Sequence, residues 1–473
     1  MKLYNTPQEY YFRLHHVRPR FKGDIESVLL FMATEISRLS GTLKEVFNNK
    51  LNDAIKMYPG NQIKTDKTID NWRTEIAALF SFYFECYDET VFAGTRAREL
   101  AEKQDLVEMF KKFLFLFQYP GGHNKPNKSL EMIKSGIHFK PAQYILKVLQ
   151  AGETDTGNRV FLLREEVCHC IFNDLRCTRD NENPLIAWKR IKTNRQNEYN
   201  YDKTGDVVRY AGDILDYMEI ANLLNCYDNN KYYINKFETE SVMKFINSNQ
   251  WFIGYDSMIK HKKGSLDAIN NENENWFNYA NIKFNETDFQ TNILTLISTG
   301  TEEKNEIKEE NLEAFKESTE NNDGNIDSKT IGDMGESLVH SHECQRIKIG
   351  GREDLIHLIK RIPTQLAIGY DIQSLELDER KRYIEVKTTI SSKPIQFNKF
   401  HMTTNEWVAA ESINDRYFIY RLLLSKHTIK LYIIQDPVGL YKKDIIRMIP
   451  RDGADIIFND NAGAEEELLI WKK

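Results

Sequence analysis

Asp371, followed after a charged turn by Arg382-Tyr383-Ile384-Glu385-Val386-Lys387-Thr388-Thr389, constrains this chain more than any other stretch. The second run is rich in β-branched and aromatic residues and reads as a strand. Residues two apart in a strand face the same way. Glu385 and Lys387 therefore project together from one side, and Ile384 and Val386 enter a core on the other. Asp371 belongs to the preceding strand, and the mostly polar residues 376–381 can turn the chain back. A hairpin of that kind sets Asp371 beside Glu385 and Lys387. Two carboxylates and one ammonium converging on a strand pair can hold a hard divalent cation and can position a water. Such a site suits hydrolysis of a phosphodiester, whose developing negative charge the metal and the lysine both stabilise. The plainer reading of the same residues is a solvated cross-strand charge pair.

The surrounding residues narrow the choice. Gly369-Tyr370-Asp371-Ile372, Ile384-Glu385-Val386-Lys387-Thr388-Thr389, Phe397, Thr403-Thr404-Asn405-Glu406-Trp407 and Tyr417-Phe418-Ile419-Tyr420-Arg421 form one pattern. It resembles the PD-(D/E)XK nuclease superfamily, and in particular a nuclease-like domain found at the C-terminus of restriction and phage-defence proteins. The resemblance covers roughly the last third of the chain, the size usual for one domain. It departs at one place: Ile372 follows Asp371, and no proline stands directly before that aspartate.

The resemblance implies an α/β domain with Asp371 and Glu385 as metal ligands. Lys387 would orient the attacking water or help deprotonate it. It also implies a glutamate from the helix before the hairpin, and Glu336, within 331–339, matches that position. A lone helical glutamate is more often simply solvated. Thr403-Thr404-Asn405-Glu406 fits a capping box, which accounts for its threonine and glutamate by helix initiation. Residues 417–424 and 429–435 read as two further strands, completing a mixed sheet around the Glu385 strand.

At 473 residues the chain has room for about three domains. A 41% hydrophobic and 28% charged composition is ordinary for a globular protein. No window approaches the apolar length of a membrane span, and residues 1–20 lack a signal-peptide core. Six scattered cysteines suit a reducing compartment, so the expected location is a bacterial or archaeal cytoplasm, away from any membrane. The net charge of −6 is concentrated: residues 301–328 carry ten acids against three lysines, a local −7 that leaves the remainder at +1. Binding to DNA would then depend on local basic patches.

The N-terminal half reads as mainly helical. Apolar residues at Ile25, Val28, Leu29, Met32 and Ile36 have helical spacing, and residues 68–83 and 106–117 suggest two more helices. Residues 92–98 could form a short wing or turn, giving a winged-helix order. Thr68, residues 71–75 and residues 117–121 also look similar to recognition regions of some restriction endonucleases. The theme repeats with helices expected from Pro141, over 163–172, 184–191 and 206–224, and then a strand–turn–strand over 226–234. Apolar segments separated by Asn- and Glu-rich turns occupy 239–298.

Two basic clusters could touch phosphates or base edges: one around Arg18 and Arg20, interleaved with aromatics, and one at Lys189, Arg190, Lys192 and Arg195, with Arg73 on a recognition helix. Solvated helix faces are the commoner explanation for such runs. Cys168-His169-Cys170 with Cys177 invites a zinc reading, but residues two apart on a helix point in different directions. Buried cysteines are the expectation.

The whole is expected to be an α+β multidomain protein. Its parts are two winged-helix-like recognition domains over 1–139 and 140–300, an acidic linker over 301–328 and a PD-(D/E)XK nuclease domain over 329–473. The expected function is a Mg2+-dependent restriction endonuclease acting on double-stranded DNA, cutting at a distance from its site in the type IIS manner. A homodimer would cut both strands, and a cognate DNA methyltransferase would protect the host. The alternatives are a modification-dependent nuclease and a catalytically silent DNA-binding subunit of a defence system.

Overall fold

The computed structural model describes residues 2–18, 25–204, 206–228, 230–285, 287–304, 331–363, 366–393, 395, 399–426, 428–451 and 453–469. The chain divides into two compact units, Met1–Thr291 and Asn292–Lys473. Of the expected acidic linker, residues 301–304 end the helix Ile293–Lys304, and the rest lies outside the described residues. Among the described residues no helix is long and apolar enough to cross a membrane.

The first unit is mainly helical. In Ile25–Arg38 the apolar residues Val28, Leu29, Met32 and Ile36 are all buried, and so are Leu30, Phe31 and Ala33, so the helix is enclosed on most sides. Lys44–Met57 packs beside it through Phe47, Leu51 and Ile55. The helix Asp66–Asn71, capped by the Thr65 hydroxyl, runs on through a wide π turn at Trp72–Ile76 into Ala77–Phe80. Strands β1 (Thr42–Leu43), β2 (Tyr83–Glu85) and β3 (Thr90–Ala93) form a small sheet in the order β1-β3-β2. The wing or turn expected over 92–98 is therefore divided. Phe92 lies in β3, and the helix Thr95–Lys103 begins after Gly94. Its buried Arg96, Ala97 and Leu100 have helical spacing that the charged residues between them conceal.

The later helices of this unit follow the same logic with two corrections. Residues 163–172 form Arg164–Val167 and then a π turn, Cys168–Phe172, rather than one regular helix. The helix Asp206–Ile220 ends before Leu224, because Asn222 takes a left-handed φ of 60° and the chain reverses into the hairpin of β4 (Leu224–Tyr227) and β5 (Lys231–Ile234). Cys168, Cys170 and Cys177 are buried, and burial pushes each thiol up to about 12, as suits packing residues. Residues 239–298, read from sequence only as apolar segments, contain the short helices Thr239–Ile246, Asp256–His261, Leu266–Asn271 and Asn273–Ala280.

The second unit is built on a mixed sheet. Strands β6 (Lys360–Arg361), β7 (Ile372–Leu375), β8 (Lys381–Ile390), β10 (Tyr417–Leu424), β11 (Ile429–Gln435) and β14 (Ala464–Glu466) lie in the order β14-β11-β10-β8-β7-β6. Strand β8 runs parallel to β10 and antiparallel to β7. A smaller sheet combines β9 (Lys399–Met402), β12 (Arg447–Arg451) and β13 (Gly453–Ile457) in the order β12-β13-β9.

Both faces of β8 are covered. The long helix Ile331–Ile349 packs on one, where Gly335 lets the two backbones approach: a Cβ there would sit 1.9 Å from the Thr388 hydroxyl. The helix Thr404–Ile413 lies over the other, the side of Glu385 and Lys387. Glu385 is only 5% exposed, so the reading of a solvated charge pair is excluded.

Candidate active site

The Asp371 carboxylate is fixed by the backbone. Its Oδ2 accepts from the Val386 N–H at 2.8 Å, and its own N–H donates to the Ile384 carbonyl at 2.9 Å. Gly369, two residues earlier, has a φ of +84°, and a Cβ on it would come within 2.5 Å of the Asn405 carbonyl. Only glycine allows this turn to tuck under the helix Thr404–Ile413 and deliver Asp371 to the end of β7. The Tyr417 hydroxyl locks the turn by donating to the Gly369 carbonyl at 2.8 Å.

Across the hairpin, the Lys387 ammonium donates to Glu385 Oε1 and to Glu406 Oε2, each at 2.7 Å. Burial pushes the Glu385 carboxyl well up; Lys387 opposes the rise, and the Asp371 and Glu406 charges add to it. Burial also raises Asp371, against the Val386 N–H and Lys387, which favour its charged form. Burial alone would lower Lys387, but Glu385 and Glu406 outweigh it and hold the ammonium above its ordinary range. The lysine is therefore a fixed positive charge among carboxylates that outnumber it.

Glu336, on the helix Ile331–Ile349, is the fourth acid. Its carboxyl is raised by burial and by Asp371, and is restrained by Arg361, whose guanidinium donates to Glu336 Oε2 at 2.9 Å and to the Ser337 hydroxyl at 3.1 Å. The structure thus brings together Asp371, Glu385, Lys387 and Glu336, the four residues singled out from sequence. Two others went unrecognised. Glu406 is the N3 residue of a capping box with Thr403, as expected, and the same carboxylate reaches Lys387. Arg361 lies in an unremarkable two-residue strand. No local spacing marks either one, since both join the site through the tertiary fold. Phe397 lies outside the described residues.

The donor set fits a hard cation of modest demands. Among the described residues no group of three or more His, Cys, Asp or Glu side chains forms an all-protein metal cage. Asp371 and Glu385 offer two oxygen donors, and Mg2+ is commonly held by one or two carboxylates with waters and substrate phosphate.

The basic residues of the first unit divide by environment. Arg190 is tied to Glu182 at 2.7 Å and faces Asp174 at 3.5 Å. Arg195 pairs with Glu166 at 2.6 Å and stacks 4.2 Å from the Phe161 ring centre. Both are engaged within this unit, Arg190 with a loop and a helix cap and Arg195 with the helix Arg164–Val167. Arg73 bridges Asn52 and Asp70, each at 3.1 Å. Lys192 meets Asp155 at 2.9 Å and Arg18 meets Asp213 at 2.7 Å, both as partly exposed pairs. Lys189 is exposed, and Arg20 lies outside the described residues.

Comparison with known proteins divides the chain along similar lines. Residues 4–277 match a family model described as restriction endonuclease BpuJI, N-terminal. Residues 335–434 match one described as protein NO VEIN, C-terminal, and this stretch includes Glu336, Asp371, Glu385, Lys387 and Glu406. A solved structure described as the BpuJ1 endonuclease binding domain in complex with pyrene- and phenanthrene-modified DNA is 24% identical, with a TM-score of 0.51. The alignment covers 59% of this chain and all of that one, and indicates a shared fold. No curated protein matches. With more than half of its length inside the first of these models, the chain belongs to the family described as restriction endonuclease BpuJI, N-terminal.

Proposed function

We propose that this protein is a Mg2+-dependent restriction endonuclease that recognises double-stranded DNA with its first unit and hydrolyses it with its second. The observation that carries the reading is the buried convergence of Asp371, Glu385 and Lys387 at the β7–β8 hairpin, in a chain whose other unit belongs to a restriction-endonuclease family. We read the β4–β5 hairpin and the β1–β3–β2 sheet as wings of winged-helix-like modules, and the second unit as a PD-(D/E)XK nuclease. The modified DNA bound by the solved neighbour supports DNA binding by the first unit. Lys189, Lys192 and Arg18, placed at or near the surface, are the stronger candidates for phosphate contact, and Arg73, held by Asn52 and Asp70, is a weaker one.

Asp371 and Glu385 would hold Mg2+, with Mn2+ as a substitute, and the ion would supply Lewis acidity and a water of lowered pKa. Lys387, whose charged form Glu385 and Glu406 favour, would donate to the water or to a non-bridging phosphate oxygen and offset charge developing in the transition state. Glu336 stands behind Asp371 as an outer acid. One such centre cuts one strand, so a two-fold-related second protomer is the simplest source of the other cut. Separate reading and cutting units favour cleavage at a distance, and a cognate methyltransferase would protect the host.

The test is digestion of methylated and unmethylated phage and plasmid DNA with Mg2+, followed by mapping of the ends. Defined ends are expected from the wild type, none with a chelator, and none from Glu385→Ala although it still binds DNA. Normal cleavage by Glu385→Ala would remove the site. Under the dimer reading, mixing wild type with excess Lys387→Ala should accumulate nicked circles.

A further inference from the structure

Glu406 stands apart from the other acids of the site. Glu385 lies on the same strand as Lys387 and two residues before it, whereas Glu406 arrives from the first turn of the helix Thr404–Ile413. Its carboxylate is doubly held: Oε2 accepts from the Thr403 N–H at 3.1 Å and from Lys387 Nζ at 2.7 Å. The helix start therefore fixes Glu406 independently of the strand. Glu385 cannot serve two partners equally: an oxygen given to a divalent cation is withdrawn from an ammonium, because the two positive charges repel. A lysine with no other anchor would swing away when Glu385 engaged a cation.

We propose that Glu406 is a positioning residue that holds the Lys387 ammonium in place while Glu385 serves a divalent cation. The role rests on the nuclease reading above and extends it to a residue outside the Asp371–Glu385–Lys387 set. An ammonium has three N–H donors. With one on Glu406, Lys387 keeps the others for water or phosphate once Glu385 turns to the ion. Glu406 also lowers the cost of that turn, since the lysine it releases is not left without a carboxylate.

The experiment uses the full chain and two readouts: Ca2+ binding by calorimetry, with no cleavage required, and steady-state cleavage of a duplex with Mg2+. Glu406→Gln keeps an oxygen able to cap Thr403 but removes the charge. It should weaken Ca2+ binding and lower kcat by roughly 10- to 100-fold each, the range found when partners of metal ligands are altered, with KM for DNA within about twofold. Glu406→Asp, which restores the charge, should recover part of both losses, and it carries the same test if the glutamine variant fails to fold. Thr403→Ala removes the hydroxyl that accepts from the Glu406 N–H, so it weakens the cap from the other side while leaving the carboxylate and its backbone partner. It should leave Ca2+ affinity and kcat unchanged. The proposal is overturned if Glu406→Gln matches wild type in both readouts, or if Thr403→Ala reproduces its losses, which would reduce Glu406 to a helix cap. A wild-type protein that neither binds Ca2+ nor cuts DNA would overturn the nuclease reading itself, a result distinct from failure of Glu406 alone.

Discussion

Two buried charge clusters sit on opposite faces of β8, and they balance in opposite ways. Under the helix Ile331–Ile349, the carboxylate of Glu343 receives Arg346 at 2.7 Å, the Ser374 hydroxyl at 2.6 Å, the Tyr420 hydroxyl at 2.7 Å and Arg382 of β8 at 3.4 Å, and Glu376 adds a second carboxylate 2.7 Å from Arg382. Burial acts to raise the Glu343 carboxyl, but Arg346, Arg382 and Ser374 outweigh it and hold the group down at about 2. Under the helix Thr404–Ile413, one ammonium serves Glu385 and Glu406 with Asp371 beside them, and burial pushes the Asp371 and Glu385 carboxyls up. The first cluster is satisfied without help. The second has more negative charge than the protein compensates, as expected of a site that completes itself with a cation from outside. Under the proposed nuclease reading, buried charge has two uses in one sheet, and the two clusters differ in the direction in which their carboxyls are shifted.

The largest effect that could break this comparison is on cleavage. Lys387→Ala or Glu385→Gln should reduce cleavage by at least 10^2- to 10^3-fold, on the order of losing one transition-state donor. Glu385→Gln should not lower the melting temperature, because it reduces the excess negative charge, whereas Lys387→Ala should lower it, because it strips the buried Glu385 and Glu406 carboxylates of their shared counter-charge. A steep stability loss in Glu385→Gln would make the second cluster structural, like the first.

Glu343→Gln should do the reverse. Arg346 and Arg382 would keep only Glu376, at 3.7 and 2.7 Å, and losing the Glu343 charge is expected to cost about 1.5–3 kcal/mol in denaturant unfolding. Any fall in cleavage should follow the fraction unfolded. Loss of cleavage in a fully folded Glu343→Gln protein would join the two clusters into one site.

Acid sharpens the contrast. Glu343 is depressed in the folded state from an ordinary 4.5 to about 2, so its stabilisation is complete above about 4.5 and is lost as pH falls towards 2. Asp371 and Glu385 are raised, so folding costs them less when they are protonated, and their contribution runs in the opposite sense. Melting curves between pH 5 and 2.5 should show Glu343→Gln with a flatter acid dependence than wild type; parallel curves would refute the assignment. The smallest effect belongs to the helix over the second cluster: Thr403→Ala should cost about 1 kcal/mol as a lost cap, read by thermal unfolding. No change at all would mean that tertiary packing alone sets the helix start.

The local chemistry of the second unit is legible along the chain. Alternation marks β8, the capping box marks the helix start at Thr403, and apolar runs mark β10 and β11, because strand and helix periods are written in nearest neighbours. Gly369 and Asp371 stand out in the same way. The environment of Glu385 and Lys387 is not legible. A strand pattern says which side chains share a face, but not that a helix twenty residues on will cover that face and exclude water. In the first unit, likewise, the run containing Arg190 and Arg195 reads as a basic patch until the fold supplies Glu182 from the loop before their helix and Glu166 from the helix Arg164–Val167.

By itself, then, the sequence determined that Asp371, Glu385 and Lys387 would meet at a hairpin, since two-residue periodicity and a short turn leave those side chains little choice. It also determined that the chain begins with helices and ends in a mixed sheet. Only the tertiary structure decided that Glu406 completes the lysine's surroundings, that Arg361 restrains Glu336, and that Glu343 is a stabiliser while Glu385 is strained in its charge. The physical reason is that burial and counter-charge depend on segments distant in the chain, and desolvation acts on a carboxylate only once those segments have closed over it.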